Sequence, residues 1–502
     1  MADSHAFPFA LDPESINNWL AALEPLSVHD KVNQLYTILK KFSNPAIEAP
    51  ALCSVLDQLA PAILMASNSL VHIATSNKAS YAADKTRKLV HFSIQLIRTL
   101  CFAYCSISND SSLTKAQQAS IIYKAMQLAC LLVRRNAVFY EAPDTGLWAK
   151  ISELYLNAKA LAILDLDIQD AVPSLNRQLT IEAVLKQTLL FSICNAYDFS
   201  PSEIADIFHA TGKLCRLLTL DPNPSESSFF CWHPDSLAAP HYTDPHRADD
   251  GILYINTSGI IRYFESNTAH LLHYQTFLST LNRLTAYEPV RESADPASPT
   301  ECDIAIGTAW AAQLLKMLIN RYRILELSGT LEEQSESAEL ELEPLEDGKN
   351  TFGFITTKFL KDERPAFIAK IRAFKTDSPY FYTAKISQDC AIGEPLVFIR
   401  ENKKPLMAVI RYLRIEPVMN LKHILLEILD GDVYPIEINE KEGFIIKRAA
   451  GKNEIVLSPD NHKTGTQFSI DQRLVNGTFC LDKFIESTPH FMRFQVSQVT
   501  VD

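Results

Sequence analysis

Glycine is scarce in this chain, and its distribution constrains the fold more than any other single feature. Only 14 of 502 residues are glycine, well under half the roughly 7% of an average protein. The first 145 residues contain none, residues 1–347 contain six, and residues 348–502 contain eight. Glycine supplies the positive φ that tight turns and phosphate-cradling loops require. A long stretch without it favours helices on short connections, and its return favours an architecture rich in turns. Neither G-x-G-x-x-G nor G-x-x-x-x-G-K-[ST] occurs, which argues against Rossmann and P-loop nucleotide sites.

Hydrophobic periodicity divides the chain at the same place. Asp12-Pro13 reads as an N-cap followed by a first-turn proline, and Ser27 precedes an apolar face of Val28, Val32, Leu35, Tyr36 and Leu39. Helical runs follow at about 82–107, 114–140 and 147–164; Thr180 precedes another, and Ser200-Pro201-Ser202-Glu203 reads as a capping box. Short connections make consecutive helices antiparallel neighbours. Trp148, Ile151, Ser152 and Tyr155 echo a tetratricopeptide signature, but no second copy follows one period away. Residues 1–220 therefore read as a large all-α bundle or stack of irregularly paired helices. Residues 221–262 interrupt it with Asp-Pro, Asn-Pro and Asp-Gly dipeptides and one candidate strand, Gly251 to Ile255. Helices are expected again at about 267–284 and 301–325, so residues 221–325 complete the helical region. Residues 326–347, with nine acidic and no basic residues, read as a solvated linker.

After residue 350 the period becomes two. Apolar runs at 351–360, 366–374, 380–387, 395–400, 406–415, 423–429, 433–438, 443–448, 454–458, 466–470, 477–481 and 490–501 are divided by Gly, Pro, Asn or Asp. That spacing predicts antiparallel β structure: a barrel over 348–440 and a β extension over 441–502. The fold class is α+β and multidomain.

The net charge of −12 argues against a long nucleic-acid-binding surface. Ten cysteines are too dilute for a disulfide scaffold. The N-terminal stretch lacks a basic and apolar leader pattern, and Asp57, Gln58, Pro61 and Arg98 interrupt the greasiest helices. A reduced, cytoplasmic protein without membrane insertion is expected. Residues 348–502 hold 22 Lys and Arg against 19 Asp and Glu, or +3, leaving −15 on residues 1–347. A mildly basic barrel could take an anionic ligand, although ordinary surface variation gives the same figure.

Chemistry-bearing clusters are few. Cys231, His233, His241 and His246, with Asp235, Asp244, Asp249 and Asp250, are ligand types suited to zinc, but their spacing matches no closed four-ligand pattern. Cys101 and Cys105 share a helix face and read as buried thiols. His270 and His273 lack the carboxylate of an H-E-x-x-H site. Arg134 and Arg135 complement a helix C-terminus. No G-x-S-x-G, H-R-D or D-F-G is present, so no catalytic residue, metal or cofactor is assigned.

The order of helical region, acidic linker and barrel resembles bacterial proteins in which helices precede a PilZ-like domain. The likeness lies in Ile392-Gly393-Glu394-Pro395-Leu396-Val397-Phe398, in Met407 through Arg414, and in Leu425 through Leu429. The resemblance implies a non-catalytic signalling effector that binds cyclic di-GMP through R-x-x-x-R and D/N-x-S-x-x-G. Arginine forks would grip phosphate, while Asp and Ser would meet the base. Here the matching positions are Lys361 and Arg364 upstream and Asp377 and Ser378 in the turn, without the second arginine or the glycine. Arg372 is expected to face solvent or pair locally. The degenerate motif predicts weakened or lost nucleotide binding, with function carried by protein partners on the helical region. The alternatives are a helical scaffold without a small ligand and a metal-dependent enzyme built on the 231–246 histidines.

Overall fold

The computed structural model describes residues 7–43, 48–76, 83–141, 145–168, 178–225, 228–236, 238–243, 251–267, 274–285, 299–328, 365–376, 380–400, 404–416, 421–438, 440–448, 452–459, 462–472, 474–488 and 490–499. The chain divides into two compact units. One comprises Met1–Ala196 with Pro201–Val290; the other comprises Tyr197–Ser200 with Arg291–Asp502.

In the first unit, α1 (Pro13–Leu23), α2 (Val28–Leu39), α3 (Ala49–Ser76), α4 (Ala83–Ile107), α5 (Lys115–Val138), α6 (Thr145–Ala160), α7 (Ile181–Ile193) and α8 (Pro201–Leu214) follow in order. The expected caps are in place: Asp12 accepts from Ser15 N, Ser27 from Asp30 N, and Thr180 from Ala183 N. A reciprocal box between Thr114 and Gln117 opens α5. Each satisfies an amide that the helix's first turn would otherwise leave without a partner. Leu59, Ile63, Leu96, Ile97, Ile121, Ile122, Leu185 and Leu189 are fully buried, each stabilising by about 2 kcal/mol. The tetratricopeptide-like residues Trp148, Ile151, Ser152 and Tyr155 are core residues, with the Tyr155 ring 5.5 Å from Trp232. Both α3 and α4 are long and apolar enough to cross a membrane, yet about half of each apolar window is buried inside the fold.

The interrupting segment forms a small antiparallel sheet. Its strands are β1 (Thr219–Asp221), β2 (Phe230–Trp232), β3 (His241–Tyr242) and β4 (Leu253–Asn256), in the order β1-β4-β2-β3. α9 (Ser258–Ser266) and α10 (Gln275–Thr285) follow.

The second unit begins earlier than periodicity suggested. A helix was expected over 301–325, but Thr300–Ile306 is a strand, β5, and the helix α11 runs from Thr308 to Ser328. The reason is local. Cys302 and Ile304 alternate with polar Glu301 and Asp303, and Gly307 at φ +89° turns the chain between strand and helix.

Among the described residues eleven further strands follow: β6 (Ala369–Lys375), β7 (Phe381–Ile386), β8 (Pro395–Arg400), β9 (Leu406–Glu416), β10 (Leu421–Leu429), β11 (Asp432–Ile438), β12 (Lys441–Lys447), β13 (Asn453–Leu457), β14 (Gln467–Gln472), β15 (Val475–Ser487) and β16 (Met492–Val499). They match the expected runs from 366 onward; the run at 351–360 lies outside the described residues.

Strands β10-β7-β6-β5-β8-β9 close into a barrel, and β11-β12-β13-β16-β15-β14 form a six-stranded sheet. α11 buries Ala311, Ala312, Leu314, Leu315 and Leu318 in a core with Val397, Met407 and Val409 of the barrel and Phe444, Ile446 and Val456 of the sheet. A second core, including Ile436, Ile445, Leu481 and Phe494, lies within the sheet.

Candidate ligand-binding face of the barrel

Strand alternation sends every second residue of the barrel outward, and register aligns several of these across strands. Glu301 of β5 pairs with Arg372 of β6, and Lys385 of β7 pairs with His423 of β10, which in turn pairs with Arg414 of β9. Arg372 and Lys385 flank the Ala373/Ala384 pair that joins β6 to β7. The result is a lateral row, Glu301–Arg372–Lys385–His423–Arg414, running over five strands. Glu416 shares the outer face, 3.2 Å from His423 Nε2 and 4.0 Å from Lys385 Nζ, while Lys370 pairs with Glu301. Among the described residues no carboxylate forms an ion pair with Arg372 or Arg414. The row therefore carries surplus positive charge, suited to an anionic ligand.

A bulge positions one end of this row. Tyr412 pairs with Leu425 and Ile410 with Leu426, leaving Arg411 as the extra residue. Bulges re-aim side chains, and the Arg411 guanidinium meets Glu427 of β10 at 2.5 Å and Glu486 of β15 at 2.8 Å. Burial alone would lower its pKa, but the two carboxylates more than offset that and hold it above its ordinary value. The chain of charges continues through Arg493, 3.0 Å from Glu486 and 3.8 Å from buried Glu454, to Arg448 at 2.8 Å from Glu454. Three arginines and three glutamates balance.

The Gly-Glu turn before β8 is held from the same sheet. Gly393 adopts φ +77°, Thr488 Oγ1 donates to its carbonyl at 2.9 Å, and a Cβ there would lie 2.8 Å from Thr488 Cβ. Burial raises the pKa of Glu394, whose Oε2 accepts from Ala391 N at 2.9 Å. Nearby, Lys422 is buried and donates to the carbonyls of Ser387 and Gln388 and to Asp389. Burial also pushes the Cys390 thiol up to about 12. At the N-terminus of α11, Trp310 is 49% exposed and stacks on Phe367 at 4.8 Å, two residues ahead of β6.

All four nucleotide-contact residues expected from the motif, Lys361, Arg364, Asp377 and Ser378, lie outside the described residues. In sequence Lys361 and Arg364 precede Pro365, and Asp377 and Ser378 fall between β6 and β7, where Thr376 N donates to the Phe381 carbonyl at 3.1 Å. Arg372 faces outward as expected, opposite Glu301. Lys385, Arg414 and His423 were missed, although each sits at an alternating polar position of a strand.

Of the residues considered for metal, Cys231 and His241 are cross-strand partners with Sγ 3.5 Å from Nε2, while His233 Nδ1 accepts from Asp235 N. His246, Asp244, Asp249, Asp250, His270 and His273 lie outside the described residues. No group of three metal-type side chains occurs among the described residues. Cys101 and Cys105 are buried.

Residues 14–225 match the family described as "Cyclic-di-GMP receptor FimW, N-terminal domain". No curated protein and no solved structure matches the chain. The match covers the helices from α1 through α8, and the closed barrel after them is consistent with a PilZ-like domain. Over residues 14–225 the chain is thus similar to the N-terminal domain of the FimW cyclic-di-GMP receptors.

Proposed function

We propose that this protein is a non-catalytic, cytoplasmic cyclic-di-GMP effector that relays ligand binding to protein partners through its helical region. The observation that supports this reading is similarity to a cyclic-di-GMP receptor's N-terminal domain over residues 14–225, in one chain with a closed barrel that carries a cationic outer row. Arg372 and Arg414 carry charge that no carboxylate of the described residues neutralises, which suits the two phosphates of a cyclic dinucleotide. Lys361 and Arg364 would add phosphate contacts, Asp377 and Ser378 would meet a base, and Trp310, half-exposed with one face against Phe367, would offer its other face for stacking. The missing second arginine and turn glycine predict weaker affinity than a complete motif would give.

Isothermal titration of the full-length protein with cyclic di-GMP tests this. Saturable heat is expected, with affinity falling about tenfold or more in Arg364→Ala and in the Arg372→Glu, Arg414→Glu double variant. Absence of heat at high micromolar protein would sink ligand binding by the barrel.

A further inference from the structure

α3 and α5 both reach across α4 with polar side chains, and they do so twice in matching register. At the first rung, Lys124 Nζ of α5 donates to Asp57 Oδ2 of α3 at 2.8 Å, and the Tyr104 hydroxyl of α4 donates to Asp57 Oδ1 at 2.7 Å. Eleven residues further along both helices stands the second. There Arg135 Nη2 donates to Asn68 Oδ1 at 2.6 Å, Nη1 donates to Ser67 Oγ, and Ser93 Oγ of α4 lies 3.4 Å away. Eleven residues are about three turns, roughly 16 Å, so both rungs occupy one face.

The two rungs differ in charge. Asp57 neutralises Lys124, whereas Asn68 occupies the corresponding place opposite Arg135 and brings no charge. Among the described residues no carboxylate forms an ion pair with Arg135. Burial and the adjacent Arg134 lower its pKa to about 10. Arg134 reaches elsewhere, over the Phe208 ring at 4.9 Å. Acids are not in short supply, since residues 1–347 carry a net −15. A guanidinium has five N–H donors, and the three neutral oxygens leave two uncommitted. An unpaired charge at such a site is costly unless something completes it.

We infer that the Arg135–Asn68 rung accepts a carboxylate from outside, one acidic side chain of a protein partner, which stands to Arg135 as Asp57 stands to Lys124. Asn68 is exposed, so its amide is placed to donate to the same group. Met65, one turn earlier on the exposed stripe of α3, is 71% exposed and offers an apolar contact beside it. The acidic character of the region selects a singly charged carboxylate over a doubly charged phosphate and disfavours partner segments dense in acids.

The test uses full-length protein and its Asn68→Asp variant, which supplies the missing carboxylate internally. Thermal unfolding is followed in sodium acetate, sodium phosphate and sodium chloride at matched ionic strength. Acetate at roughly 200 mM is expected to raise the wild-type midpoint by about 1 °C over chloride, and to leave Asn68→Asp unchanged. Arg135→Lys should retain part of the increment. An equal acetate effect in wild type and Asn68→Asp, no acetate effect in wild type, or a larger rise in phosphate would each overturn the inference.

Discussion

Inside the helical unit, charged side chains stand on separate rungs: Lys124 with Asp57, and Arg135 with Ser67 and Asn68. In the β unit six of them join end to end from Arg448 through Glu454, Arg493, Glu486 and Arg411 to Glu427. Backbone geometry explains the difference. Helical partners meet only where two faces cross, once every turn or so, which spaces polar contacts along the axis. Strands lie about 4.8 Å apart, so neighbouring strands place their side chains within reach of one another. A rung can therefore change by itself, whereas removing one member of the β network leaves others with unmatched charge.

The sharpest way to break this contrast is Arg411→Met. It leaves Glu427 and Glu486 without their shared cation and should destabilise the β unit by roughly 3 kcal/mol. Denaturant unfolding should show a shifted β-unit transition while the helical signal holds; coincident shifts in both would refute the separation. Next in size is Thr114→Ala, which removes the reciprocal cap of α5 and should cost about 1 kcal/mol. That loss should appear in the helical circular dichroism transition and leave the barrel unaffected.

The smallest effect concerns Glu394. Burial raises its folded pKa above the unfolded value, so the folded state binds its proton more tightly. Its contribution to stability is full below the unfolded pKa and is lost as pH rises through the folded pKa. Glu394→Gln should therefore gain stability relative to wild type as pH rises from about 4 to 7. A stability difference that stays flat over that range would contradict the assignment.

Much of the β unit was legible because Ile, Val and Phe alternate with polar residues on its strands, and Gly393 marks its turn at a positive φ. Helix starts were legible from Asp12, Ser27 and Thr180, whose caps depend only on neighbouring residues. β5 escaped because its short alternation runs straight into the apolar face of α11, and a seven-residue strand weighs little beside a helix three times longer.

The cationic row was illegible for another reason. Arg372, Lys385, Arg414 and His423 come together through register, and register depends on which strands pair. The Arg411 bulge shifts Tyr412 and Arg414 relative to β10, the strand that follows, a displacement that linear spacing does not reveal. Arg134 and Arg135 looked like a single dipole-complementing pair, but adjacent helical positions diverge by about 100°. One meets an aromatic ring and the other a cradle of hydroxyls and an amide.

The position of β5 has a consequence for how this barrel is made. It lies between β6 and β8, pairing Ala305 with Val397 and Ile304 with both Phe398 and Ala369. The ring is thus sewn from strands whose paired residues, such as Cys302 and Arg400, stand ninety or more positions apart, and such distant pairings form slowly because loop closure must precede any gain from contact. Until β8 has been synthesised, β5 cannot complete its pairing. A fragment begun at the glycine-richer boundary near residue 348 would lack β5 altogether. It would present two unpaired strand edges, on β6 and β8, to any other chain able to fill the gap.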